Sequence, residues 1–190
     1  MSHGLRALGL ELGDTVACVG PRCRSKKAMV ATWCRSMLPS IPCLPEAGYL
    51  TSKTVFDLTA LPRSLLVIGG GPIGCELAQA FCRFGVRTVI AHDVPYFLPK
   101  EERDAAQLVA EALARDGVEV HLNTKAVNVR VERGKKIVET LNAGNVAPIV
   151  VDEILTGLGR IPSLPGLALE APGRASAPGT GVRVAAPLGR

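Results

Sequence analysis

The chain has 190 residues, of which 47% are hydrophobic and 21% charged. That is too apolar for a wholly disordered chain, and it suffices for one globular core and part of a second. The net charge of +5 comes from basic residues scattered along the chain and not interleaved with aromatics, which argues against a nucleic-acid surface and suits a small anionic ligand. Aromatics make up only 4% of the residues, so the core must be built from Val, Ile, Leu and Ala, as in a sheet covered on both faces. No apolar run has the length of a membrane span, and residues 1–20 lack a signal-peptide pattern, so a cytoplasmic protein without a membrane partner is expected.

Residues 1–60 are the least regular part. Pro39, Pro42 and Pro45 punctuate a segment that reads as a connector. Residues 64–68 (SLLVI) form a short apolar run with the character of a fully buried strand, and Gly69, Gly70 and Gly71 follow at once. Ile73, Leu77, Ala80, Phe81 and Phe84 then recur at helical spacing until Gly85. Residues 88–91 give a second strand. Glu101, Glu102 and Asp104 load the first turn of a second helix, whose apolar stripe reads as Leu108, Val109, Ala112 and Leu113. Residues 118–122 give a third strand. This alternation implies a parallel sheet with right-handed crossovers. Residues 126–132, 136–141 and 146–155, separated by turns at Gly134 and at 142–145, predict an antiparallel meander followed by one more buried strand. From Gly157 onward Pro and Gly predominate, and loops are expected.

The chemistry concentrates in Gly69-Gly70-Gly71-Pro72-Ile73-Gly74. Gly69, Gly71 and Gly74 satisfy GxGxxG. The first glycine makes the tight turn, the second lets backbone approach a pyrophosphate, and the third lets the helix lie close to the sheet. The free N–H groups and positive dipole end of the helix then face the phosphates. The motif follows a predicted strand, opens a predicted helix and has Asp93 near the end of the next strand, the context that raises it above an ordinary glycine turn. A P-loop is excluded because Cys75-Glu76 stands where Lys-Ser/Thr is required. A stand-alone dehydrogenase would need its own catalytic constellation, such as Tyr-x-x-x-Lys, and none is present. The six cysteines show no zinc spacing, and Cys75 and Cys82 fall in an apolar helical pattern as plain buried thiols.

Residues 48–81, GYLTSKTVFDLTALPRSLLVIGGGPIGCELAQAF, resemble the entry into the NAD(P)H domain of the class I pyridine nucleotide-disulfide oxidoreductases, on the mercuric reductase and dihydrolipoamide dehydrogenase side. Residues 154–162 (ILTGLGRIP) resemble the family's strand-ending TGR-x-P element. More weakly, 28–42 and 179–183 resemble the segments that leave and re-enter the flavin domain. The resemblance implies a Rossmann-type parallel sheet with an antiparallel meander, flanked by remnants of an FAD-binding domain. It implies residues 1–60 as flavin-domain segment and connector, 61–160 as the NAD(P)H-binding domain and 161–190 as the start of the return. The implied function is transfer of hydride from nicotinamide to FAD and on to a disulfide or metal-ion acceptor. A homodimer is implied for the full-length family.

The same resemblance places Glu76, two residues after the last fingerprint glycine, and Gly159 near the nicotinamide, and adds Val127 to the cofactor-binding set. His92 and Asp93 share the position that chooses between NAD and NADP: an acid there accepts from the ribose hydroxyls, a base accommodates the phosphate. NAD is favoured. The sequence departs from the family pattern at Trp33, Ser36 and Cys43, and it lacks the flavin fingerprint, the AGD motif and the dimerisation segment. The 190 residues are therefore expected not to form a competent flavoenzyme by themselves, and a dinucleotide-binding fragment without redox activity is the alternative. Cys18 and Cys23 have the C-x4-C spacing of the family's redox pair but stand only a few residues before Ala31-Thr32-Trp33. The spacing is read as coincidence, and no catalytic residue is assigned.

Overall fold

The computed structural model describes residues 16–17, 29–30, 34–37, 39–162, 175–177 and 181–183. Two compact units emerge, one from 1–35 with 160–190 and one from 36–159. In the first unit, strands β1 (Val16–Ala17) and β2 (Met29–Val30) pair antiparallel. Strand β3 (Cys34–Ser36) pairs with β12 (Arg160–Pro162), and β13 (Ala175–Ala177) pairs antiparallel with β14 (Gly181–Arg183).

The second unit begins with α1 (Leu44–Ala47), β4 (Leu50–Thr51) and a 3-10 turn (Thr54–Asp57). Then β5 (Ser64–Ile68), α2 (Pro72–Arg83), β6 (Arg87–Ala91), α3 (Arg103–Asp116) and β7 (Glu119–His121) alternate as the sequence predicts. Strands β8 (Lys125–Glu132), β9 (Lys135–Asn142) and β10 (Asn145–Val151) form the antiparallel meander. The chain bends at Asp152 into β11 (Glu153–Thr156), so the apolar stretch 146–155 is two strands in two different sheets. The parallel sheet has the order β4-β11-β5-β6-β7.

The unbroken apolar runs follow from burial on both faces. Leu65 and Val67 of β5 join Ile90 and Leu155 in a core with Cys75, Ala78, Phe81, Ala106 and Leu113 of the helices. Leu66 and Ile68 turn the other way, with Val89 and Ile154, onto Val129, Val138, Ile149 and Val151. Leu65, Leu66 and Val67 are fully buried, each stabilising the fold by about 1.5–3 kcal/mol.

The sheet-bearing unit runs from Ser36, with Leu50–Thr51 paired to β11 and Leu44 fully buried on the meander face. Two expectations about the helices change. The buried face of α3 is Ala106, Ala110 and Leu113, while Leu108 is 67% exposed. Alanines let this helix approach closely, which a reading by large apolar residues overlooks. Phe84, assigned to the stripe of α2, is 68% exposed beyond the helix end, where Gly85 (φ +84°) turns the chain.

Candidate functional site

Strand β5 delivers the chain to Gly69, whose φ of +108° is open to glycine and disfavoured for other residues. Its N–H extends the sheet by donating to Ala91 O (2.9 Å). Gly71 is the N-cap of α2 and Pro72 opens the first turn, where its missing N–H costs no helical bond. The first helical bond runs from Cys75 N to Gly71 O (3.0 Å), which leaves the N–H groups of Gly71, Ile73 and Gly74 without partners inside the helix. These donors and the helix dipole make the turn an anion cradle.

The three motif glycines are not equivalent. A Cβ on Gly74 would lie 2.1 Å from Gly69 O, and one on Gly69 would lie 2.8 Å from Gly157 O. These are backbone atoms that cannot swing away. Among the described residues, a Cβ on Gly71 would meet only Gly157 O at 3.7 Å, an ordinary contact, so they leave room in front of it. Gly69 and Gly74 are therefore demanded by packing, and Gly71 is left open toward solvent.

Gly157 completes this arrangement, and the sequence reading did not single it out. Its N–H donates to Ile68 O (2.8 Å), and a Cβ there would lie 2.9 Å from Gly74 Cα. The signal was the first glycine of TGLG at the end of β11. Gly159, the glycine expected near the nicotinamide, has φ +100°, and its carbonyl accepts from Met37 N (2.9 Å).

At the end of β6 the two candidate residues part. His92 is 9% exposed, and its Nδ1 accepts the Gly70 N–H at 3.2 Å. Asp93 is 58% exposed at its side chain and lines a cleft of about 290 Å³. Gly69 and Ile68, Ala91, Thr124–Ala126, Pro39–Ile41 and Leu158 make the other walls. The cleft thus lies at the carboxyl ends of β5 and β6, where open parallel sheets place ligands. Asp93 and Lys125 give it one charge of each sign. Thr124 is buried and held by Asn142 Nδ2 (2.9 Å), and its N–H donates to His92 O (2.8 Å), which fixes this wall to β6.

The remaining predicted residues lie apart from the cleft. Glu76 is exposed on α2, in its second turn. Val127 is half-buried at the bulge between Ala126 and Asn128, and its neighbours Thr124, Lys125 and Ala126 line the wall in its place. Ile73 is half-buried beside Pro72. Cys18, Cys23 and Trp33 lie outside the described residues. Burial pushes the Cys75 thiol up to about 12, and Cys82 Sγ donates to Asp116 O (3.0 Å), so Cys75 is the buried thiol expected and Cys82 is a half-buried helix–helix contact. Among the described residues no cluster of His, Cys, Asp or Glu could hold a metal ion, and no helix is long and apolar enough to cross a membrane.

Known proteins resemble this chain in sequence and in fold. The family model described as pyridine nucleotide-disulphide oxidoreductase matches residues 10–186. A dihydrolipoyl dehydrogenase of Thermus scotoductus is 35% identical over 139 residues, covering 68% of this chain and 30% of that protein. A mercuric reductase of Bacillus cereus is 32% identical over 163 residues, 84% of this chain and 25% of that protein. Among solved structures, the Cu(II) complex of the HOCl-induced flavoprotein disulfide reductase RclA from Escherichia coli aligns with a TM-score of 0.70 at 30% identity, over 80% of this chain and 35% of that one. LpdA from Mycobacterium tuberculosis aligns with a TM-score of 0.64 at 29% identity, over 77% of this chain and 31% of that one. The chain thus spans about a third or less of the length of these relatives.

Proposed function

The chain belongs to the pyridine nucleotide-disulphide oxidoreductase family, and from that premise we propose that residues 36–159 are the NAD(P)H-binding part of an enzyme that passes hydride from nicotinamide to FAD and on to a disulfide or metal-ion acceptor. The observation that carries this reading is the space in front of Gly71. Two neighbouring glycines are forced by backbone contact, but among the described residues no atom lies close enough to require a glycine at Gly71. A bound pyrophosphate supplies the missing reason.

The family is FAD- and NAD(P)-dependent. The dinucleotide fits the residues present. In this reading Gly71, Ile73 and Gly74 donate to the pyrophosphate, and Asp93 accepts from the hydroxyls of the adenosine ribose. Thr124–Ala126 and Pro39–Ile41 enclose that half of the molecule, while Glu76 and Gly159 attend the nicotinamide half. The nicotinamide, when bound, supplies the hydride. The protein's own contribution is orientation: the rigid strand–turn–helix unit holds the pyrophosphate and so limits where the ring can go. No second glycine turn opening a helix exists among the described residues, so they offer no comparable cradle for a flavin, and no step through flavin is assigned to them.

We further propose NAD over NADP. Of the two candidates at the end of β6, the one on the cleft beside Lys125 is the Asp93 carboxylate, which repels a 2′-phosphate, while the basic one, His92, is turned into the protein. Fluorescence titration with NADH and NADPH tests this. NADH should bind at least about tenfold more tightly, and Asp93→Ala should narrow the gap. Equal affinity, or a preference for NADPH, would overturn the assignment.

A further inference from the structure

His92 does something that its position at a strand end does not require. The imidazole is buried, and Nδ1 accepts the N–H of Gly70, the central glycine of the turn. An accepting Nδ1 carries no proton, so the ring is neutral with its proton on Nε2. Among the described residues Nε2 is buried with no hydrogen-bond partner of full geometry, although the Tyr96 backbone acts on the ring. A Cβ on Gly70 would lie 3.2 Å from His92 Cγ and 3.3 Å from Phe97 Cε2, so the Gly70 backbone is packed against the imidazole as well as bonded to it. With Gly69 N–H committed to Ala91 O, both amides that precede the N-cap are tied to the end of β6 and the residue after it. The amide groups of Gly71, Ile73 and Gly74 remain, and their direction depends on how Gly70 is held.

We propose that His92 is a positioning residue for dinucleotide binding: its neutral imidazole fixes the Gly70 peptide in the phosphate-binding geometry, and its protonation releases the turn. This rests on the dinucleotide reading above. An imidazolium would put an N–H donor against the Gly70 N–H donor, and the two cannot bond. The peptide would have to rotate or the ring to swing out, and either movement shifts the N-cap next door. The device is therefore a pH-sensitive brake on cofactor binding.

The surroundings set its direction. Burial lowers the proton affinity of His92 below the ordinary imidazole range, while the Asp93 carboxylate (Oδ1 at 3.9 Å) and the backbone of Tyr96 raise it. Burial is the largest of the three. From β7, His121 gives its carbonyl to the His92 N–H, but its own ring lies 3.9 Å from Glu119. Lys125 follows Thr124 on the cleft wall. Of these groups only the Asp93 carboxylate acts on the His92 charge. Because the folded chain holds this proton less tightly than the unfolded one, stability from His92 is present above the ordinary imidazole value and is lost as pH falls from there through the lower folded-state value.

The test uses ADP-ribose, which has the pyrophosphate and adenosine but no acid-labile dihydronicotinamide. Calorimetric titration of the whole chain from about pH 8 to about pH 5 should show affinity falling by about tenfold, with a midpoint below the usual imidazole value. In His92→Asn the amide oxygen can accept from Gly70 and does not titrate. That variant should bind more tightly than His92→Phe near neutrality and lose the pH dependence. His92→Phe should bind weakly at every pH. Nitrogen NMR of labelled histidine should show the Nε2–H tautomer at neutral pH, a signature that a merely space-filling ring would not share with a pH-dependent affinity. Affinity that stays level or rises on acidification, or the wild-type pH profile in His92→Asn, would overturn the proposal while leaving the dinucleotide site standing. Absence of ADP-ribose binding at every pH would overturn both.

Discussion

The two ends of the parallel sheet are built by opposite means. At the carboxyl ends of β5 and β11 the contacts are backbone to backbone. Gly69, Gly74 and Gly157 meet at distances that no side chain could enter, and a buried histidine bonds the turn. At the amino ends the contacts are charged side chains near the surface. Ser64 Oγ donates to Asp152 (2.7 Å), which also pairs with Lys135, and Arg87 pairs with Glu119. Asp116, at the end of α3, accepts from Gln79 (2.7 Å) and Arg83 (2.8 Å) of α2. The first end tolerates no side chain at Gly69, Gly74 or Gly157, because backbone atoms fill the space a Cβ would take. The second can lose any one pair and remain folded, since exposed ion pairs are individually weak.

Substitutions should expose this contrast. The largest effect is expected from Gly74→Ala, which sets a methyl group 2.1 Å from Gly69 O. Helix and strand must separate, at a cost of about 3 kcal/mol or more, read as a lowered urea midpoint. A wild-type midpoint would show that the turn is looser than its contacts indicate. A smaller and pH-dependent effect is expected from Asp116→Asn. The hydrogen bond from Gln79, and then that from Arg83 with its charge, hold the Asp116 carboxyl below the usual carboxylate range. A depressed carboxyl contributes stability above its unfolded value and loses it as pH falls. The variant should therefore differ from wild type near pH 7 and converge with it near about pH 3 in urea melts. A difference that persists in acid would assign Asp116 a role other than its charge.

The contrast also explains what the sequence disclosed. The strand–turn–helix at 64–83 was legible because its glycines answer backbone requirements, which leave a fixed spacing. The meander was legible from its turn residues and alternation. The buried face of α3 was not, because Ala106 and Ala110 carry less hydrophobic signal than the exposed Leu108. Residues 36–60 read as a connector because prolines mask a short strand and the fully buried Leu44. Gly157 stood in a glycine-rich stretch with no spacing to mark it, since its partners come from a distant segment. The His92–Asp93 ambiguity could not be settled from the chain alone. Neighbouring residues leaving a strand point to opposite sides, and a one-residue uncertainty exchanges the inward side chain for the one in the cleft.

Gly71 tests the central claim most directly, because it is the motif glycine that the protein's own packing does not demand. Gly71→Val should remain folded, with its midpoint lowered by no more than a lost helix cap of about 1 kcal/mol, since its φ of −83° suits any residue and its Cβ has room. NADH titration of the same preparation should show affinity reduced by about a hundredfold or more, because the side chain occupies the place assigned to the pyrophosphate. A folded Gly71→Val that binds NADH as tightly as the wild type would contradict the dinucleotide site.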